Sequence, residues 1–574
     1  MEPLPSEPGL DRCFDAADEH AWAEAARRAL RGVSLDALHA RLPEGITLPP
    51  AVFEAAAEPS PPGSAPWTRG WRVADRRAAG WDVRAWLAGD VSLGTDAVAA
   101  GARSLWVQAR GAVDLARLDR WLGGVDLEAV PVHLSVDGDA RAWLDAVADR
   151  ASGPLTGAVV HVGRGAGWPS EAALLRDVMT AHPWLQVGCA SSLDAANAGA
   201  TAVQQLGVLL AAVADRLRGM DAEGLSPSVV LPRLLLQVGV DRQVWTSVAL
   251  LRAARTGWAR LAAACGVSEP GFLHAVTVDL ARSRRDPWTN VVRDTLSVAA
   301  AAWGGADAIT CRPRDAASSG EGAASAQRLA ITGQRVLCDE AHLARVADGV
   351  GGSRVVEALT TELDERGWDL FQRIEAAGGL GRSLDDGWLS AEVRAAGAER
   401  LAGARRREPL LVGSASFVAP VADAAVDEGG GEPRAAQVDF APLRLTEPFE
   451  SLQDAADRAG SRPVALLWHL GPEASHRPRA EFTRRLLEAG GVQWRDVQDL
   501  DDAPAHAAVV LVAGDDTYAA RLDAALAEAS RHPFVAVAGK VDPAWTAATP
   551  VALYRGGDVV AALTALHRAL GVLA

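Results

Sequence analysis

Val464-Ala-Leu-Leu-Trp-His-Leu-Gly-Pro-Glu-Ala-Ser-His-Arg-Pro-Arg479 runs from an apolar strand through a Gly-Pro turn towards a helix. A strand end followed by a turn and a helix start is where an open α/β domain places its ligand. The turn offers a carboxylate, Glu473, and an imidazole, His476, so it reads either as a working ligand loop or as the remains of one. The same strand–helix unit recurs through residues 445–574, with β-type runs at Val464–Leu470, Val492–Val497, Ala508–Ala513, Phe534–Ala538 and Val551–Tyr554. The spacing predicts a doubly wound, flavodoxin-like sheet.

Working back along the chain, the unit recurs eight more times. Short apolar runs fall at Trp81–Trp86, Ser104–Ala109, Pro131–Val136, Thr156–Val162, Leu185–Ala190, Leu231–Val238, His274–Leu280 and Ala306–Cys311, with helical stretches between them. Eight such units close into a (β/α)8 TIM barrel, and the runs read as parallel strands buried on both faces. The predicted fold class is therefore α/β, with a barrel over residues 57–355, a helical and flexible linker over 356–444, and the doubly wound domain over 445–574. Residues 1–56 form a helical arm whose stripe of Trp22, Ala26, Leu30 and Leu35 packs either on a partner subunit or on its own chain. Ala57–Pro66 is a proline-rich linker, and Val421–Val438 is low-complexity.

Composition narrows the function. The chain has 574 residues, a formal net charge of −16 and no basic stripe, which argues against a nucleic-acid surface; its single lysine, Lys540, reflects coding bias, with arginine as the basic residue elsewhere. Cys13, Cys189, Cys265, Cys311 and Cys338 lie far apart with no CxxC or metal spacing, as expected of thiols in a reducing cytoplasm. No signal peptide is expected, and the longest uncharged stretch, Ala195–Ala214, reads as a buried helix rather than a membrane span.

Barrel, helical linker and small doubly wound domain, in that order, is the plan of the cobalamin-dependent acyl-CoA mutases. Arg69-Gly70 with Trp81 and Arg84, Asn197-Ala-Gly-Ala-Thr-Ala202, Leu251-Arg-Ala-Ala-Arg255 and Asp286-Pro-Trp-Thr-Asn290 with Arg293 each resemble a segment of that family. So does Arg328–Ser353, with Gln334, Glu340, Asp348 and Gly351-Gly352-Ser353. Together they resemble methylmalonyl-CoA mutase and its relatives.

The departures from the family pattern concern its chemistry. Arg76 stands where the catalytic chains carry a Tyr. Ser192, Leu193 and Asp194 stand in place of their Gly-Tyr-His. Their cobalt-ligating Lys-Met-Gly-x-Asp-x-His-x-x-Gly is matched here by His469, Glu473, Ser475 and Pro478 at the Lys, Asp, His and final Gly positions. Serine is a poor cobalt ligand beside imidazole. His476 comes one residue late, a displacement of about 3.5 Å along an extended loop, although Glu473 could orient it as a second-sphere carboxylate. The run Leu-Gly-Pro-x-Ala-x-His-x-x-Arg resembles the non-catalytic small chains of the heterodimeric bacterial enzymes.

The resemblance thus implies a chain with no catalytic, cofactor-binding or metal-binding residues of its own. It implies a large catalytic partner subunit that binds adenosylcobalamin and interconverts succinyl-CoA and methylmalonyl-CoA, and no nucleic-acid or membrane partner. Two other readings stay open: an active acyl-CoA mutase of altered specificity with His476 on cobalt, and a standalone barrel protein or sensor for another ligand. Gly163-Arg-Gly-Ala-Gly167 before Ser170 reads as a glycine-rich turn sooner than a phosphate cradle, and His342 and Asp194 as surface and structural groups sooner than bases.

Overall fold

The strands form where β-branched, aromatic and leucine residues alternate with residues that must face inward. A computed structural model describes residues 18–53, 60–88, 93–151, 153, 155, 157, 160–162, 168–181, 185–319, 324–418, 439–501, 503–546 and 550–573. Its larger sheet is parallel throughout. The strands are β1 Asp82–Leu87, β2 Ser104–Gly111, β3 Val132–Gly138, β4 Val160–Val162, β5 Cys189–Ser191, β6 Leu235–Val240, β7 Phe272–Thr277 and β8 Ala308–Thr310. Their order is β4-β3-β2-β1-β8-β7-β6-β5. The first and last strands pair directly, Ala308 with Asp82 and Ile309 with Val83. The sheet's ends, β4 and β5, are neighbours in the chain, an arrangement consistent with a TIM-like barrel. All eight predicted runs coincide with these strands, with boundary shifts of a few residues.

The two faces of this sheet differ more than expected. Val83, Ala85 and Leu87 of β1, Leu105 and Val107 of β2, Leu134 and Val136 of β3, and Leu236 and Val238 of β6 join one apolar core with the surrounding helices. Alternate residues point the other way, and many are polar: Arg84, Ser104, His133, Gln237, His274 and Thr310 are all buried. The inner side is thus polar over much of its depth, with Trp86, Trp106 and Val276 as apolar exceptions. Arg84 donates to Ser104, and Gln237, His274 and Thr310 are linked to one another, which is what permits their burial.

The helices Ala202–Ala222 and Val244–Ala264 cover the outside of the sheet, and the long helix Arg354–Ala376 lies across both. Gly367 permits the close approach, because a Cβ there would come within 2.4 Å of Leu206. The Thr201 hydroxyl and the Gln204 side chain form a reciprocal cap at the start of Ala202–Ala222. In the arm, the helix Glu19–Leu30 buries no residue. The segment after it is tied to its own chain: Glu44 accepts from the Ala202 N–H at 3.1 Å, and Ile46 enters the main core.

A second parallel sheet comprises β9 Val464–Leu470, β10 Gln493–Val497, β11 Ala508–Ala513, β12 Val535–Ala538 and β13 Val551–Leu553, in the order β10-β9-β11-β12-β13. One face packs on Leu486, Leu487, Leu563 and Phe449, the other on Tyr518, Leu522 and Ala525. Leu280, just beyond β7, belongs to the first of these cores, so the two sheets share buried surface. The helix Glu447–Arg458 fastens the two parts together. Glu450 accepts from the Ser283 hydroxyl at 3.1 Å and the Arg284 N–H at 2.7 Å. Arg285 bridges to Asp454 at 2.7 Å and to Asp457 at 2.6 Å. No helix among the described residues is long and apolar enough to cross a membrane. Cys13, the Gly163–Gly167 turn and the 421–438 stretch lie outside the described residues.

Candidate functional site

The mouth of the larger sheet, at the C-terminal strand ends, is where a barrel enzyme assembles its chemistry. Here Trp86 of β1, Trp106 of β2, Val276 of β7 and Leu193 just after β5 pack into one buried apolar cluster. Both indoles are fixed from the neighbouring strand: Trp86 Nε1 donates to Gln108 at 3.2 Å, and Trp106 Nε1 to the Ser135 hydroxyl at 2.7 Å. The Arg312 guanidinium lies 4.4 Å over Trp86. Leu193 is held in place because its N–H donates to Ser191 Oγ at 3.2 Å and the Ser192 N–H to the Gln237 carbonyl at 3.0 Å.

Beneath the cluster a polar chain runs across the interior. Ser191 Oγ donates to Gln237 Oε1 at 2.9 Å, and Gln237 Nε2 meets His274 Nδ1 at 3.3 Å. His274 Nε2 reaches Thr310 Oγ1 at 2.8 Å. Gln237 Nε2 can only donate, so His274 Nδ1 accepts and Nε2 carries the proton. Burial, and then the positive Arg84, push the His274 pKa well below the usual histidine range. The ring is neutral at pH 7, and both its nitrogens are engaged inside the protein. His133 is likewise held well below that range, by burial first and by Arg84 and His274 after it. Neither ring is placed to exchange protons with a substrate at the mouth.

Arg76 lies at the opposite end of the sheet. Its guanidinium donates to the Ala306 carbonyl at 2.6 Å and to that of Ala302, both just ahead of β8. Burial lowers its pKa to about 10, and it remains a cation. The structure therefore does not bring Arg76 together with Leu193. Asp194 is exposed on the short helix Leu193–Asn197, and His342 is exposed on the surface.

The Val464–Arg479 stretch holds a relay that the sequence reading missed. The helix starts at Glu473, directly after Gly471-Pro472, so His476 sits within Glu473–Ala489 rather than in a loop. Gly471 has φ +77°, and a Cβ there would meet the Thr517 hydroxyl at 2.6 Å, so the turn cannot widen. His476 is 1% exposed. Its Nε2 lies 2.9 Å from His469 Nδ1, and His469 Nε2 lies 2.7 Å from Asp496 Oδ1, which also accepts from Arg484 at 2.9 Å. The Asp496 carboxylate needs a donor, so His469 carries its proton on Nε2 and accepts at Nδ1, and His476 donates from Nε2. Burial, then His469, hold the His476 pKa below its usual value. Burial opposes the charge on Asp496, but hydrogen bonds from His469 and Arg484 outweigh it and keep that pKa low. The partner of His476 is thus His469 and, through it, Asp496, not Glu473. Parallel pairing of Leu467 with Asp496 puts His469 and Asp496 on one sheet face, a signal visible only once register is known.

These residues do not fit a cobalt ligand set: the imidazole is buried and its Nε2 is committed to a neighbour. Among the described residues no cluster of three or more His, Cys, Asp or Glu could hold a metal ion.

The family-resembling residues lie at both ends of the sheet, and there they hold backbone and charge. Asp348 binds Arg69 at 2.6 Å and Arg252 at 2.8 Å, and Arg252 also binds Glu357 at 2.6 Å. Arg255 pairs with Asp307 at 2.9 Å. Asn290 accepts from the Ser283 N–H at 2.9 Å, and Asn197 accepts from the Asp279 N–H at 3.0 Å.

Comparison with known proteins identifies relatives over most of the chain. The family model described as methylmalonyl-CoA mutase matches residues 178–438. The chain is 35% identical to the methylmalonyl-CoA mutase small subunit of Streptomyces virginiae, over 80% of this chain and 79% of that one. It is 31% identical to the probable methylmalonyl-CoA mutase small subunit of Mycobacterium tuberculosis, covering 78% and 76%. It is 27% identical to the small subunit from Propionibacterium freudenreichii subsp. shermanii, covering 76% and 72%.

Proposed function

The chain belongs to the methylmalonyl-CoA mutase family, and we infer that it is a small subunit without catalytic residues, paired with a large catalytic chain. The observation that carries the second part is the filled mouth, where Leu193 packs among Trp86, Trp106 and Val276. A radical rearrangement needs room for an acyl group and a positioned proton donor beside it. This mouth presents indole and aliphatic surface instead, and its nearest imidazole, His274, has both nitrogens engaged.

In such an enzyme adenosylcobalamin supplies the radical chemistry, and the protein supplies position and exclusion of water. We assign the cofactor to the large chain. The His476–His469–Asp496 relay supports this, because freeing His476 Nε2 for a metal would break its hydrogen bond to His469 and leave His469 Nδ1 unpaired. The finer architecture is read in the same way. The larger sheet is taken as a full (β/α)8 barrel over 57–355 and the segment 356–444 as a linker. Residues 445–574, whose strand order is that of doubly wound sheets, are taken as a degenerate cobalamin-type domain. The arm over residues 1–56 is assigned to subunit contact, supported by a helix Glu19–Leu30 with no buried residue. The work of the chain is then to stabilise and shape its partner in the cytoplasm.

The test is direct. The purified chain is expected to leave the adenosylcobalamin absorbance spectrum unchanged and to show no turnover of methylmalonyl-CoA, while adding it to the large chain raises activity. Tight cobalamin binding that is lost in His476→Ala, or turnover by the chain alone, would overturn the reading.

A further inference from the structure

One small cavity collects polar side chains from three distant parts of the chain. Glu44 belongs to the segment after the arm helix, Gln205 to the helix Ala202–Ala222, and Arg400 to the helix Trp388–Arg405. Glu44 is 8% exposed. Its Oε1 accepts from the Ala202 N–H at 3.1 Å and lies 3.8 Å from an Arg400 terminal nitrogen. Its Oε2 has no hydrogen-bond partner among the described residues, and neither have Gln205 Oε1 and Arg400 Nε; all three atoms are buried.

Gly239, near the end of β6, forms one wall of the cavity. A Cβ there would stand 3.3 Å from Gln205 Oε1 and 2.5 Å from the Ala196 Cβ, so glycine leaves the space free. Two other polar residues of the lining are already engaged. Asp241 Oδ1 accepts from the Gln243 N–H at 2.7 Å, and Ser247 Oγ donates to the Asp241 carbonyl at 3.2 Å.

The open atoms specify what can occupy the site. Glu44 Oε2 and Gln205 Oε1 are acceptors, and Arg400 Nε is a donor. An occupant that satisfies all three gives two hydrogen bonds and accepts one. Charge narrows the choice further. A cation on the two oxygens would face the Arg400 guanidinium, and an anion on Arg400 Nε would face the Glu44 carboxylate. The cavity measures about 20 Å³, and a single water needs about 10–15 Å³. Buried waters typically make about three hydrogen bonds, to groups that are otherwise unpaired.

We propose that this cavity is a binding site for one water molecule, which donates to Glu44 Oε2 and Gln205 Oε1 and accepts from Arg400 Nε. The water joins the segment after the arm helix, the wall of the larger sheet and the helix Trp388–Arg405 in one hydrogen-bonded joint. The joint is independent of whether the chain is catalytic.

The test uses the full chain. Oxygen-17 magnetic relaxation dispersion counts the waters held inside a protein, and Gln205→Met keeps the side-chain length while removing the acceptor. The variant is expected to hold one internal water fewer than wild type. Its folding equilibrium in denaturant should move at least about fivefold towards the unfolded chain. In a dry cavity the same substitution would only remove an unpaired buried oxygen. An unchanged water count with equal or higher stability would therefore overturn the proposal. The wild-type melting temperature is expected to be the same in lithium, sodium, potassium and caesium chloride at equal ionic strength. A dependence on the cation that Gln205→Met abolishes would make the occupant a cation and sink the idea. A crystal structure of the wild-type chain at a resolution that places waters gives the same answer without a variant. One density peak within hydrogen-bond distance of all three atoms is expected, and its absence would refute the assignment.

Discussion

The base and the mouth of the larger sheet are built from the same eight strands yet have opposite chemistry. At the base, Arg69, Arg252, Asp348 and Glu357 form a buried ion network, and Arg255 with Asp307 a second one. At the mouth, where a barrel enzyme would gather its polar groups, the side chains are Trp86, Trp106, Leu193 and Val276. The retained family motifs are those that hold backbone to backbone and charge to charge. The replaced positions divide between the two ends, with Arg76 at the base on the Ala302 and Ala306 carbonyls and Leu193 in the apolar cluster at the mouth. On the small-subunit reading proposed above, a chain without chemistry still has to stay folded, and the ion networks at the base serve that requirement.

The sharpest way to break the comparison is at the base. Asp348→Ala leaves Arg252 and Arg69 buried without their carboxylate, which is expected to cost about 3–5 kcal/mol in denaturant unfolding. Burial works against the Asp348 charge, but Arg252 and Arg69 outweigh it and hold its pKa below the usual carboxylate value. A depressed folded-state pKa contributes stability above the unfolded value, near 3.9, and loses it as pH falls through the folded one. The gap between wild type and variant should therefore be full at pH 7 and shrink below about pH 4; a gap that does not change with pH would refute the ion-pair account.

At the mouth, Leu193→Ala should cost about 2–4 kcal/mol through the cavity it opens, with no pH dependence in the same unfolding series. Restoring chemistry is a different experiment. Leu193→Tyr with Asp194→His is expected to give no mutase turnover in the purified chain, because Trp86 and Trp106 still fill the space. Detectable turnover would show that the mouth retains more of the family's function than its packing suggests.

The second sheet offers a smaller effect. His476 has a folded pKa below its unfolded one, so the neutral ring contributes stability above about pH 6.5 that is lost as pH falls towards the folded value. The melting temperature should drop over this window in wild type and much less in His476→Leu. An NMR titration in which His476 protonates at or above the usual histidine pKa would contradict the relay. At the weak end, Asp194→Asn on the exposed rim is expected to change stability by less than about 0.5 kcal/mol.

Much of this was legible in the chain. Twelve of the thirteen strands of the two parallel sheets fall on apolar runs, because a strand buried in a parallel sheet leaves a dense signal; the exception is the exposed edge strand Gln493–Val497. The inner face of the larger sheet was harder. Arg84, His133 and His274 are buried, yet their single polar letters look like interruptions in apolar runs until the alternation of the strand assigns them a side. The replaced positions could be read residue by residue, but not their locations: Arg76 and Leu193 are at opposite ends of the sheet. The partner of His476 was misread because contact across parallel strands depends on register. Glu473 is near in sequence, whereas His469 and Asp496 are near in space. The stretch around His476 reads as a loop in the sequence but is the first turn of a helix that begins at Glu473 and accommodates Pro478.

The pairing of β1 with β8 has a consequence for how the molecule is made. Ala308 and Ile309 dock on Asp82 and Val83, partners more than two hundred residues earlier in the chain. Contacts so distant in sequence form late and slowly. During synthesis the first strand therefore waits with one hydrogen-bonding edge open until the eighth has left the ribosome, and Asp348 arrives later still to lock Arg69. From the emergence of β2 to that of β8 the nascent chain is an open parallel sheet, the state in which a sheet edge is most exposed to pairing with another chain.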